Sequence, residues 1–144
     1  MHMQASRHVA VPCDRAFAVL ADIERYPEFL PGWEAARILE RRDDRLEVEQ
    51  SVRAGPVPVR FRTRARLYPP HRLHIEGIEG PFHRLHIDWT LAPDPGKGCR
   101  IRLEVDVAVR FGPLSVLVER GFRHQARTLL DHFERRLEAL ASGT

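Results

Sequence analysis

Lysine is almost missing from this chain. Of its 23 basic residues only Lys97 is not arginine, so nearly all the positive charge sits on rigid guanidinium forks that suit carboxylate or phosphate. Coding bias or adaptation to heat produces the same preference, so composition alone assigns it no partner. Set against 20 acids, these bases leave a formal charge of only +3. Cysteine is scarce too: Cys13 and Cys99 form no C-x-x-C motif and are too few for a structural zinc site, and both are expected to be ordinary thiols. No apolar run approaches the roughly 20 residues that cross a bilayer. The opening MHMQASRHVAV lacks the cationic head and apolar core of a secretory signal, so a cytoplasmic protein is expected. The 11 prolines and 9 glycines are too scattered for a collagen-like or low-complexity chain.

What is present suits one folded domain over residues 1–144, since 43% hydrophobic content supplies a sizeable core. Val9 and Val11 open with a strand pattern, which Pro12 and Asp14 end. A short helix is expected next, with Asp14 as its cap and Ala16, Phe17 and Leu20 as its apolar stripe. Residues 23–30 read as a second short helix, interrupted by Pro27 and closed by Pro31-Gly32.

From residue 33 to about 108 the period is two. Leu46, Val48, Gln50 and Val52 share one parity, as do Val57, Val59, Phe61, Thr63, Ala65 and Leu67 in the following run. Leu73 and Ile75, then Leu85, Ile87, Trp89 and Leu91, then Ile101, Leu103, Val105, Val107 and Val109 continue the pattern, with a turn at residues 93–98. Such alternation gives a sheet with one apolar and one wet face. After Gly112-Pro113 the period becomes 3.6: Val118, Phe122, Ala126, Leu129, Phe133, Leu137 and Leu140 fall on one face of a helix over about residues 114–141, roughly 40 Å long. The architecture expected is α+β: a curved antiparallel sheet wrapped around a long C-terminal helix, with two short helices after strand 1.

The segment DIERYPEFLPGW, residues 22–33, resembles the YPEFLPW-type signature of the coenzyme Q-binding branch of the START-like, or helix-grip, superfamily, which also holds polyketide cyclase/dehydrase-like proteins. VPCDRAFAVLAD fits the family's first helix and FGPLSVLVERGFRHQARTLLDHFERRLEAL its terminal helix, so the resemblance spans about the whole chain. It implies a helix-grip fold that holds a hydrophobic small molecule, such as a quinone or other isoprenoid lipid, between helix and sheet. It also implies no required cofactor. Related proteins include mitochondrial quinone-binding factors, polyketide aromatases and cyclases, and a bacterial ribosome-associated toxin. Three functions therefore stay open: a carrier or chaperone for such a ligand, in transient contact with a membrane; a polyketide cyclase; and a ribosome-associated translation inhibitor.

For a ligand in the interior the candidate residues are Phe29, Leu30 and Trp33 at the loop, Phe61, Leu85 and Trp89 on the inward sheet parity, and Phe122, Ala126 and Leu129 on the helix. The same positions also serve as ordinary core packing. Inward parity adds the polar Gln50, Thr63 and His83, which would orient a carbonyl or hydroxyl. His83 is the one candidate acid or base. Outward parity collects Arg60, Arg62, Arg64 and Arg66, extended by Arg84, Arg100 and Arg102, into a candidate surface for an anionic partner such as the ribosome. No aromatic side chain shares that face, so no specific DNA binding is expected. No metal site is expected either: His71 with His74, and His83 with His86, alternate in parity along a strand, and His124 and His132 stand about 12 Å apart along a helix.

Overall fold

The period-two runs become strands β2 (Trp33–Arg42), β3 (Arg45–Ala54), β4 (Val57–Tyr68), β5 (Arg72–Glu79), β6 (Phe82–Pro93) and β7 (Cys99–Val109). They follow one another as a meander, and β1 (His2–Val9) closes the far side by pairing with β7. The order across the sheet is β1-β7-β6-β5-β4-β3-β2, antiparallel throughout. This is a computed structural model that describes residues 1–54, 56–110 and 112–142, the side chains of residues 54, 57, 112–115, 117, 118, 122, 125–127 and 142 excepted.

Four extra residues bend this sheet. Glu34 and Leu39 in β2, Ile78 in β5 and His83 in β6 each fall between consecutive pairs of the ladder, so that two residues face one across the strand. Such bulges increase local twist and turn a strand away from the plane. All four of these residues are exposed, while their neighbours keep the inward alternation. His83 thus lies outside, a correction to its expected inward position: the parity count from Leu85 fails across one inserted residue.

The concave face is filled by the side chains that alternation assigned to it. Leu46, Val48, Val52, Leu73, Leu103 and Val107 are essentially inaccessible, and Trp89 is 2% exposed. Against them lies α2 (Gly112–Ser142), 31 residues and roughly 46 Å long. Its buried stripe runs through Leu130, Phe133 and Leu137, with Leu129 half-buried. Leu140 is exposed, contrary to its place on the expected apolar face, and Leu130 takes an inward position that the sequence pattern did not include. Ion pairs fix the helix at the sides: Arg7 on β1 reaches Asp131 at 2.5 Å and Glu134 at 3.2 Å, and Arg136 reaches Glu28 at 3.0 Å.

Between β1 and β2 the chain forms α1 (Cys13–Ala21) and a 3₁₀ helix, Ile23–Glu28. Pro12 occupies the N-cap of α1, with no side-chain cap; Asp14 sits inside the first turn, where its charge opposes the helix dipole favourably instead of capping. Cys13, Ala16, Phe17 and Leu20 bury one face of α1. Cys13 and Cys99 are joined in a disulfide, with Cα atoms 5.0 Å apart, which corrects their expected state as free thiols. They are 86 residues apart in sequence and become neighbours only because β7 begins beside the start of α1. At that junction Gly98 has φ +94°, and a Cβ there would overlap the Val9 carbonyl oxygen, so glycine alone lets the two backbones approach.

Candidate functional site

The expected entrance loop builds the aromatic end of the interior. Its 3₁₀ helix places Tyr26 inward, where burial first and the nearby Asp22 charge second push the phenol far above its ordinary value, and its hydroxyl donates to the Leu20 carbonyl. Gly32, at φ +87°, then turns the chain so that Trp33 starts β2. Phe133 of α2 sits at the centre, edge-on to Tyr26 at 5.4 Å, to Phe29 at 5.2 Å and to Trp89 at 5.2 Å. Edge-to-face contacts of this kind fix ring orientation as well as burying area.

A cavity of about 60 Å³ remains beside this cluster. The loop and helix contribute Tyr26, Trp33, Leu129 and Phe133 to its wall. The sheet contributes Gln50, Phe61, Ile75 and Leu85, with Ile87, Trp89, Val105 and Val107 completing it. The polar groups in this region satisfy one another. Trp33 Nε1 donates to Gln50 Oε1 at 2.9 Å, and Gln50 Nε2 donates to Thr63 Oγ1 at 3.1 Å. Among the described wall residues there is no carboxylate, imidazole or amine, and the one titratable group, Tyr26, is held neutral. The cavity is thus equipped to hold apolar surface and offers no group poised for proton transfer near neutral pH.

Of the expected interior residues, Trp33, Gln50, Phe61, Leu85, Trp89 and Leu129 line the cavity together. Thr63 stands behind Gln50 at 0% exposure, and Leu30 is buried in the core away from the wall. Phe29 turns to the other side, half-buried under the Arg136 guanidinium at 5.2 Å, in an outer groove shared with Val19, Asp22 and Leu140. The side chains of Phe122 and Ala126 lie outside the described residues. Tyr26, Ile75, Ile87, Val105, Val107 and Phe133 were missed as site residues, although each carried a signal: Tyr26 lies inside the YPEFLPGW segment, and the others share the inward parity or the helical face.

On the convex face the expected arginine row is present but largely neutralised. Arg62 lies between Glu49 and Glu79, both at 3.6 Å, and Arg64 reaches Glu47 at 3.2 Å. Arg84 grips Asp106 through two bonds of 2.8 and 3.1 Å, and these hold the Asp106 carboxyl below its ordinary value. Arg100 reaches Asp94 at 3.3 Å, and Arg102 donates to Gln4 at 3.2 Å. Among the described residues Arg60 and Arg66 make no ion pair. Arg62, Arg64 and Arg84 thus find acids on a neighbouring strand, as cross-strand pairing favours. No group of three or more His, Cys, Asp or Glu side chains suited to a metal occurs among the described residues.

A curved seven-stranded antiparallel sheet gripping a long terminal helix, with its small apolar cavity between the two, defines a START-like helix-grip protein. The chain belongs to the polyketide cyclase / dehydrase and lipid transport family, whose sequence profile matches residues 9–134. It is similar to the ribosome association toxin RatA of Pseudomonas aeruginosa, 32% identical over 146 residues that cover 96% of each chain. The Zhui aromatase/cyclase of a Streptomyces species superposes with a TM-score of 0.87 at 19% identity, covering 96% of this chain and 93% of that one. A START superfamily protein of Mycobacterium smegmatis gives 0.83, also at 19% identity, over 96% and 98% of the two chains. At these identities the structural likeness is one of fold. No helix among the described residues is long and apolar enough to cross a membrane.

Proposed function

We propose that this protein associates with the ribosome and restrains translation. The reading rests on the end-to-end similarity to RatA, a ribosome association toxin, which extends over 96% of both chains and is not confined to the sheet or the helix. The interior agrees with it. Ligand pockets for molecules of drug size usually measure about 300–1,000 Å³, and an engineered cavity that admits benzene is about 150 Å³. The cavity here, about 60 Å³, is smaller than either. A protein that works through its surface has no need of more.

One observation favours a second reading, in which the interior opens to hold a quinone or another isoprenoid lipid, the protein being cytoplasmic and touching a membrane in passing. The cavity wall is apolar except for the Tyr26, Trp33 and Gln50 groups, and five aromatic side chains bound it. A polyketide cyclase has less support, because the described wall residues supply no acid or base.

The two are separated by sedimenting the purified protein with ribosomal particles through a sucrose gradient, and by native mass spectrometry of the gently purified protein. Comigration with a ribosomal particle, and a mass equal to that of the bare chain, is the outcome expected. Protein that stays at the top of the gradient at low salt while carrying a quinone or isoprenoid mass would overturn the ribosomal reading in favour of the carrier.

A further inference from the structure

One stretch of α2 and the residues before it is locally rich in positive charge. Residues 110–130 contain four arginines, Arg110, Arg120, Arg123 and Arg127, and a single acid, Glu119, which amounts to the whole surplus of the chain. Elsewhere bases and acids balance in number, and ion pairs hold Arg62, Arg64, Arg84 and Arg100 of the sheet against acids. The second half of α2 is likewise compensated, since Asp131 and Glu134 hold Arg7 and Arg136 holds Glu28. The first half is not. Arg120, Arg123 and His124 are exposed, and neither arginine makes an ion pair among the described residues. Glu119 instead accepts a long contact from the Val109 backbone nitrogen at 3.5 Å.

We infer that the first half of α2 is a docking face for an RNA phosphate backbone, carried by Arg120 and Arg123, with position 127 a turn further along the same side of the helix. Positions three, four and seven apart fall on one side of a helix, so Arg120, Arg123 and His124 form an exposed stripe on the side that position 127 shares, about 10 Å along the axis from residue 120. Guanidinium forks engage phosphate oxygens through paired hydrogen bonds, and the stripe contains no Phe, Tyr or Trp on which a base would stack. Its contacts are therefore with the backbone and independent of base sequence. The inference rests on the ribosomal reading for the source of the RNA, while the stripe itself stands on charge placement.

The test compares the wild-type protein, the triple variant Arg120→Gln/Arg123→Gln/Arg127→Gln, and the control variant Arg62→Gln/Arg64→Gln. Each is titrated against purified ribosomal particles, a duplex RNA oligomer and vesicles rich in anionic phospholipid, from 50 to 200 mM salt. Glutamine keeps helix propensity close to that of arginine, and circular dichroism reports whether each variant folds. Three neutralised phosphates give a slope of log affinity against log salt of about −2 to −3, so wild-type affinity for RNA falls roughly 20- to 40-fold across this range. The triple variant is expected to bind ribosomal particles and RNA at least about tenfold more weakly at 50 mM salt and to lose most of the slope; the control keeps both. If wild type and triple variant bind the particles equally, the docking face is wrong and the ribosomal reading survives. Stripe-dependent binding to RNA without binding to particles would preserve the face and remove the ribosome. Binding to neither, or to vesicles alone, overturns the face.

Discussion

The indole nitrogen of Trp33 and the side-chain oxygen of Gln50 are 2.9 Å apart, and this bond ties the entrance loop to the middle of the sheet. Gln50 is buried and passes the connection on to Thr63 on the next strand, so a polar thread crosses an otherwise apolar wall. Each member is satisfied by the next, which is the condition under which buried polar groups do not destabilise a core.

Gln50→Leu breaks the thread at its centre. Thr63, at 0% exposure, loses its partner and has no access to water, so a cost of about 1–3 kcal/mol is expected in urea unfolding. The double variant Gln50→Leu/Thr63→Val removes the stranded hydroxyl and should recover part of that loss. A double variant less stable than the single one would contradict the thread as drawn.

Phe133→Ala removes the ring that meets Tyr26, Phe29 and Trp89. At 1% exposure it leaves a void that the rigid sheet fills poorly, and a loss of about 3–5 kcal/mol is expected. Adding a small aromatic such as benzene should raise the melting temperature of this variant and leave that of the wild type unchanged. A loss below about 1 kcal/mol would mean that α2 does not pack through this ring.

Reduction of the Cys13–Cys99 disulfide, or Cys99→Ser, releases a loop of 86 residues in the unfolded chain. Disulfides typically contribute about 2–4 kcal/mol, and a loop this long lies at or slightly above the upper end of that range, roughly 10–15 °C in Tm. Calorimetry with and without a reductant measures it, and a Tm indifferent to reductant would show that the bond does not form in solution.

Asp88 accepts two bonds of 2.8 Å from Arg72, and these hold its carboxyl below the ordinary value of 3.8. A folded-state value lower than the unfolded one stabilises the protein fully above pH 4 and fades as the pH falls through the lower, folded value. Asp88→Asn is therefore expected to cost up to about 1 kcal/mol at pH 6, a modest sum because the pair is partly solvated. The gap in Tm between wild type and variant should close as the pH is taken below about 4. A gap that widens in acid would reverse the assigned shift.

The alternation of Leu46, Val48, Gln50 and Val52, repeated in the neighbouring strands, was enough to place one face of the sheet, because side-chain parity depends on nothing beyond the strand itself. Bulges are different. His83 looked inward by the same rule, and a single inserted residue put it outside. The disulfide was hidden for a related reason: contact between Cys13 and Cys99 is a property of how β7 meets α1, across 86 residues of intervening chain. At the candidate site, parity found Phe61, Leu85 and Trp89 but not the choice of Phe133 over its helical neighbours, which follows from where the curved sheet leaves room for a ring. The arginine row was visible in sequence as a set of bases, whereas its neutralisation by Glu47, Glu49, Glu79 and Asp106 depends on strand order.

That neutralisation has a directional effect. Alternating charges on neighbouring strands cancel within a few ångströms, whereas an uncompensated cluster is felt out to the Debye length, about 8 Å at physiological salt. To an approaching polyanion the ion-paired arginines of the convex sheet are electrically quiet, and with the docking face inferred above the first half of α2 is the end that pulls. The molecule therefore arrives helix-first, already rotated into one orientation before any surfaces touch, and raising the salt should slow its association more than it hastens its release.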